Sequence, residues 1–130
     1  MSLWTYVNGV VEIDCTDESQ SLIETKIKNV LKDLPVVRGS ERDMEVHIIQ
    51  HNGKNFFTTD SDNIPIELQT RYSLVLVGDL RDSILEDTNK LFNEWLNELS
   101  KKLFIDSVLV SITDHENQIL INIPHYKCNL

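Results

Sequence analysis

The stretch from Ser83 to Leu103 constrains the fold more than any other part of the chain. Ser83-Ile84-Leu85-Glu86 reads as a capping box, and Leu85, Leu91, Phe92, Trp95, Leu96, Leu99 and Leu103 then trace one face of a helix of about five turns. A helix with one apolar stripe must lay that stripe on something, and the rest of the sequence offers mainly strands. A second amphipathic helix lies between Asp17 and Leu34. Leu22, Ile23, Ile27, Val30, Leu31 and Leu34 recur at the helical period, Thr16 or Asp17 is available as N-cap, and Pro35 stops the helix.

The strands are read from alternation. Met44, Val46 and Ile48 alternate with Glu45 and His47 up to about Gln50, predicting a half-buried strand that can sit at a sheet edge. Tyr72 to Leu80 is nearly continuous in apolar character, as in a central strand covered on both faces. Val108, Val110 and Ile112, the polar turn Asp114-His115-Glu116-Asn117, and Ile119, Ile121 and Ile123 predict a C-terminal hairpin ahead of Pro124. At the N-terminal end, Leu3–Val7 and Val10–Ile13 flank Asn8-Gly9, the dipeptide best suited to a tight hairpin turn. The expectation is a hairpin there, with one long strand carrying a glycine bulge as the alternative. The sequence holds no tandem repeat and no low-complexity tract.

Strand–helix–strand thus occurs twice in 130 residues, a length that supports one core. The expected architecture is a single α+β domain over residues 1–130. It is a ferredoxin-like sandwich with a mainly antiparallel sheet of five or six strands and two long helices on one face. With the helices on one side, Ile49, Leu109 and Leu120 fall on the opposite side of the sheet, where Trp4 and Tyr6 can join them. Such an apolar face calls for a cover, and the expected cover is a second copy in a homodimer, another protein, or the segment Asn52–Gln69.

Composition narrows the function classes. Twelve basic residues against 21 acidic ones give a net charge of −9, which opposes direct nucleic-acid binding and capture by anionic lipid. Two cysteines, Cys15 and Cys128, cannot make a disulfide framework or a thiolate zinc site. Asp14 and Asp17 also disfavour a thiolate at Cys15. No basic stretch leads into an apolar segment, and no apolar run approaches the ~20 residues that cross a bilayer, so a cytoplasmic protein is expected.

No catalytic constellation stands out. His47 and His51, four apart on a strand, sit roughly 13 Å from each other, and His115 and His125 bracket opposite ends of the last hairpin, so no metal site is expected. Asp60-Ser61-Asp62-Asn63 begins like a calcium loop but meets Pro65 where such a loop needs glycine. Gly78-Asp79-Leu80-Arg81-Asp82 has the position of a phosphate loop but one glycine, no lysine and acids that repel phosphate. Two regions remain as candidate binding sites. Arg38 and Arg42 stand in the charged connection Arg38–Met44, able to fork onto a carboxylate or phosphate. His47, His51 and Arg71, with Asp60 and Asp62, border the polar stretch from His51 to Arg71, long enough to cover a ligand. No cofactor is indicated.

Several stretches carry a family resemblance. They are Leu34-Pro35-Val36-Val37-Arg38-Gly39-Ser40-Glu41-Arg42-Asp43-Met44 continuing to Gln50, Leu80-Arg81-Asp82 leading into the Phe92-to-Trp95 helix, Asp106 to Ile112, and the Trp4 to Gly9 opening. Together they resemble a family of small uncharacterised proteins of prophages and mobile elements in low-GC Gram-positive bacteria. The absence of alanine and the abundance of Asn, Ile and Lys fit an AT-rich coding genome. The resemblance implies an accessory role and carries over no catalytic residue. The function expected is therefore a non-enzymatic protein-interaction or accessory module. The alternative is a small ligand-binding domain or enzyme with its site under the 51–71 loop.

Overall fold

The computed structural model describes residues 3–14, 20–51 and 71–126. The elements run β1 (Trp4–Ile13), α1 (Gln20–Lys32), β2 (Glu45–His51), β3 (Arg71–Arg81), α2 (Leu85–Lys102), β4 (Ile105–Thr113) and β5 (Gln118–Ile123). The five strands form one open sheet in the order β2-β3-β1-β4-β5, and every neighbouring pair is antiparallel. The architecture is α+β, and β2 is an edge strand as its alternation indicates. The expected N-cap Asp17 and the Asn52–Gln69 segment lie outside the described residues, as do Cys15, Asp60, Asp62 and Cys128.

The first element corrects the sequence reading. Asn8-Gly9 makes no hairpin: β1 is one continuous strand at the sheet's centre, bonded to β3 on one side and β4 on the other. The alternative of a single strand is right, but its irregularity falls between Glu12 and Ile13 in the pairing with β4, not at Gly9. Among the described residues no glycine has positive φ. Gly9 is there because β4 crosses tightly: a Cβ would land on the Leu109 carbonyl oxygen and the Val110 backbone. Among the described residues the sheet has five strands, within the expected five or six.

Strand parity divides the sheet into two faces. Thr5, Val7, Val11 and Ile13 of β1, Tyr72, Leu74, Leu76 and Leu80 of β3, and Val108, Val110 and Ile112 of β4 are buried. All of these but Thr5 join Ile23 and Ile27 of α1 and Phe92, Trp95, Leu96 and Leu99 of α2 in one cluster. Helix α2 buries the stripe read from its sequence, but its start differs. The N-cap is Ile84, with no side-chain cap bond. Ser83 is one residue too early to cap, and its hydroxyl is spent inside the core on Thr88 Oγ1. Thr5 Oγ1 in turn donates to the Ser83 carbonyl at 2.6 Å. Thr5→Val should therefore cost about 1–2 kcal/mol by orphaning that buried acceptor, read as a lowered denaturation midpoint.

Two local devices close the chain around this core. Asp82 adopts φ 59°, a left-handed position that Asp tolerates better than most residues, and its N–H donates to the Leu3 carbonyl at 2.7 Å. In the β4–β5 turn the Asp114 carboxylate accepts the Glu116 and Asn117 N–H groups at 2.8 and 2.7 Å. The Asn117 bond, followed by the Glu116 bond, holds the Asp114 carboxyl below its ordinary pKa.

Candidate functional site

The face of the sheet opposite the core is the molecule's most distinctive surface. Register assigns its rows. Val75 of β3, Val10 of β1 and Leu109 of β4 stand side by side, and the next row holds Val77, Asn8, Ser111 and Leu120. His47 on β2 extends the first row, and Ile49 lies one row on beside Ser73. Ile49, Val77, Leu109 and Leu120 are 42%, 38%, 54% and 60% exposed, so this apolar band faces solvent. Leu109, Leu120 and Ile49 thus occupy the side the alternation assigns them. Trp4 and Tyr6 join them, their rings stacked 6.4 Å apart. The expectation that β3 is covered on both faces fails at Val77.

Charge is sparse on half of this face. Beyond Trp4, the outer residues of β1, β4 and β5 that pair across strands are Tyr6, Asn8, Val10, Glu12, Ser107, Leu109, Ser111, Thr113, Gln118, Leu120 and Asn122. In these three strands Glu12 and the exposed Asp106, the extra residue that the register shift leaves without a partner in β1, are the only charged residues, in a chain of which 25% is charged. Apolar exposure with depleted charge is the composition of an interface core rather than of ordinary surface.

At one end of the band three strands place a polar chain. Ser73 Oγ of β3 donates to Glu12 Oε2 of β1 at 2.6 Å, and His51 Nε2 of β2 lies 2.6 Å from Ser73 Oγ. Ser73 has one proton and gives it to Glu12. His51 must then be the donor, through a proton on Nε2. Ser73 is 3% exposed, Glu12 half-buried and His51 exposed. This order, acid to hydroxyl to imidazole, differs from a hydrolytic triad, in which the imidazole sits between hydroxyl and acid and takes the hydroxyl proton. What the arrangement offers a ligand is the Glu12 carboxylate and His51 Nδ1, beside the apolar wall of Ile49 and Val10.

The five residues singled out by sequence do not share one site. His51 is opposite Arg71 in the β2–β3 register. His47 stands on the same face as His51, but its Nε2 is 3.3 Å from Glu45 Oε2 and it takes no part in the chain. Arg38 and Arg42 lie in the α1–β2 connection beside the far end of β3, roughly 30 Å along that strand from Arg71. That connection is a turn closed by Gly39 N–H to the Arg42 carbonyl at 2.9 Å. It is clamped to β3 by Ser40 N–H to the Arg81 carbonyl, Ser40 Oγ to Asp82 Oδ2 and a Glu41–Arg81 ion pair. Arg38 and Arg42 are both exposed. Glu12 and Ser73 are the residues sequence reasoning missed. The one available signal was Glu12, an acid interrupting the β-prone run of β1.

Comparison with known proteins finds no matching family model and no similar curated protein or solved structure. The geometry of the open face therefore carries the functional reading alone. Among the described residues, no group of three or more His, Cys, Asp or Glu side chains is placed to hold a metal ion, and no helix is long and apolar enough to cross a membrane. A shallow groove along α1, lined by Leu22, Lys26, Asn29, Val30 and Asp33 with Lys102 of α2, lies open to solvent. It brings together no chemistry beyond two lysines and an aspartate.

Proposed function

We propose that this protein is a non-enzymatic interaction module that binds a protein partner through the open face of its sheet. The single observation that carries the reading is the exposed apolar band around Leu109, on a half-face whose strands carry only two charges, Glu12 and Asp106, both at one end. The net charge of −9 argues against a nucleic-acid partner. The resemblance to mobile-element proteins of low-GC Gram-positive bacteria suggests a cytoplasmic accessory role in such an element.

The fold proposed for the module is ferredoxin-like with β5 added at one edge. In the order β2-β3-β1-β4, β1 and β2 run parallel with β3 between them, and β3 and β4 run parallel with β1 between them. These are two split βαβ units. The right-handed crossover rule puts both helices on the same face, because the two crossovers travel in opposite directions from antiparallel strands. That placement is what leaves the other face free for a partner.

The test is affinity capture from a Gram-positive host lysate with the protein and with Leu109→Glu, whose exposed position leaves folding intact. A stoichiometric partner held by the native protein and lost with Leu109→Glu supports the reading. Recovery of the same proteins by both, or of none, counts against it. The polar chain of His51, Ser73 and Glu12 favours a second reading, a small-ligand site where the 51–71 segment begins. A thermal-shift screen addresses it, since a ligand at one hundred times its dissociation constant stabilises by about 2.7 kcal/mol, and Glu12→Gln should abolish the shift.

A further inference from the structure

We infer that two copies of this chain join by pairing their β5 strands edge to edge, making one continuous ten-stranded sheet. β5 lies at the end of the sheet and, among the described residues, pairs only with β4. As far as Tyr126 the chain leaving it heads back toward β4 and away from its outer side: it turns at Pro124, and the Tyr126 N–H donates to the Asp106 carbonyl at 2.9 Å. Among the described residues, the outward backbone groups of Gln118–Ile123 therefore meet no neighbouring strand and form a row of free donors and acceptors.

Edge strands are ordinarily defended by lysine, internal proline, a bulge or an inward charge. β5 has none of these. Its sequence Gln-Ile-Leu-Ile-Asn-Ile is uncharged and strongly β-prone, and its pairing with β4 is regular from end to end. The other edge differs, since β2 carries Glu45, His47 and His51.

The occupant is a second copy because β5 is complementary to itself. A two-fold axis normal to the sheet keeps each face on its own side, so antiparallel partners must come from the same face. Centred on Leu120, the pairing sets Leu120 against Leu120, Ile119 against Ile121, and Gln118 against Asn122. Apolar meets apolar on both faces, amide meets amide, and no charge enters the register. It also joins the two open faces, each with Leu109 and Leu120 exposed, into one larger apolar surface.

Sedimentation velocity of the full chain over a dilution series tests this. The expected mass rises from 15.0 kDa to twice that value with concentration. Leu120→Lys, which sets like charges against each other at the axis, should weaken the dimer by at least about tenfold. Ile49→Lys on the β2 edge and Leu109→Lys on the sheet face should leave the dimer intact. With Cys15 and Cys128 replaced by Ser, a mixture of Gln118→Cys and Asn122→Cys chains should form a disulfide between copies under mild oxidation. A monomer at every concentration overturns the inference. So does a dimer that survives Leu120→Lys, or one that Leu109→Lys disrupts and the cysteine pair fails to link. None of these outcomes depends on capture of a foreign partner.

Discussion

Gly9→Val is expected to destabilise the protein by about 3 kcal/mol or more, while Asn8→Val next to it is nearly neutral. At Gly9 the valine Cβ would occupy the space of the Leu109 carbonyl oxygen and the Val110 backbone. The obstacle is main chain in a paired strand, which cannot swing aside like a side chain, so the cost falls at or above the top of the usual range for overpacking. Relief would require β1 and β4 to separate, and they are paired from Tyr6 to Ile13. Asn8 points to the open face and is exposed, and valine suits an extended backbone. The pair separates the two roles of this dipeptide. A type I′ turn needs positive φ at both residues and would penalise both valines, whereas a close crossing penalises only the second. Chemical denaturation of the two variants checks it, and equal losses would return the turn.

Trp95→Ala should cost about 3–5 kcal/mol, a large share of the stability of a domain this size. Trp95 is 3% exposed and stacks on Phe92 with ring centroids 5.7 Å apart. Truncation removes the largest side chain of the α2 stripe and leaves a cavity that Leu96, Leu99 and the β4 row cannot fill without moving the helix. The calorimetric midpoint should fall by 10 °C or more on the usual scaling. Fluorescence gives an independent reading. In Trp4→Phe, which leaves Trp95 as the only tryptophan, acrylamide should quench weakly in the native state and strongly once denatured. Strong native quenching would place Trp95 outside the core.

These two positions mark how far the sequence could be read. Trp95 was legible because seven apolar residues at helical spacing define a buried stripe without reference to anything distant. Gly9 was misread because Asn-Gly between β-prone runs is the strongest short-range hairpin signal, and what outweighs it here is a strand about one hundred residues away. Ser83 repeats the lesson on a smaller scale. It has the residue type and spacing of a cap, but burial beside Thr5 and Thr88 gives its hydroxyl and carbonyl other partners.

By itself the sequence determined which residues are extended or helical, Asn8-Gly9 and the start of α2 excepted, and, through the two-residue period, which side chains of a strand share a face. That is enough to put Ile49, Leu109 and Leu120 opposite the core, because parity is a property of each strand alone. The tertiary structure decided everything that depends on neighbours. The order β2-β3-β1-β4-β5 made the first strand the central one. Register brought Glu12, Ser73 and His51 from three strands within hydrogen-bond reach, and it left Arg38 and Arg42 at the far end of β3. Parity tells a side chain which way to point, and only cross-strand pairing tells it whom it will meet.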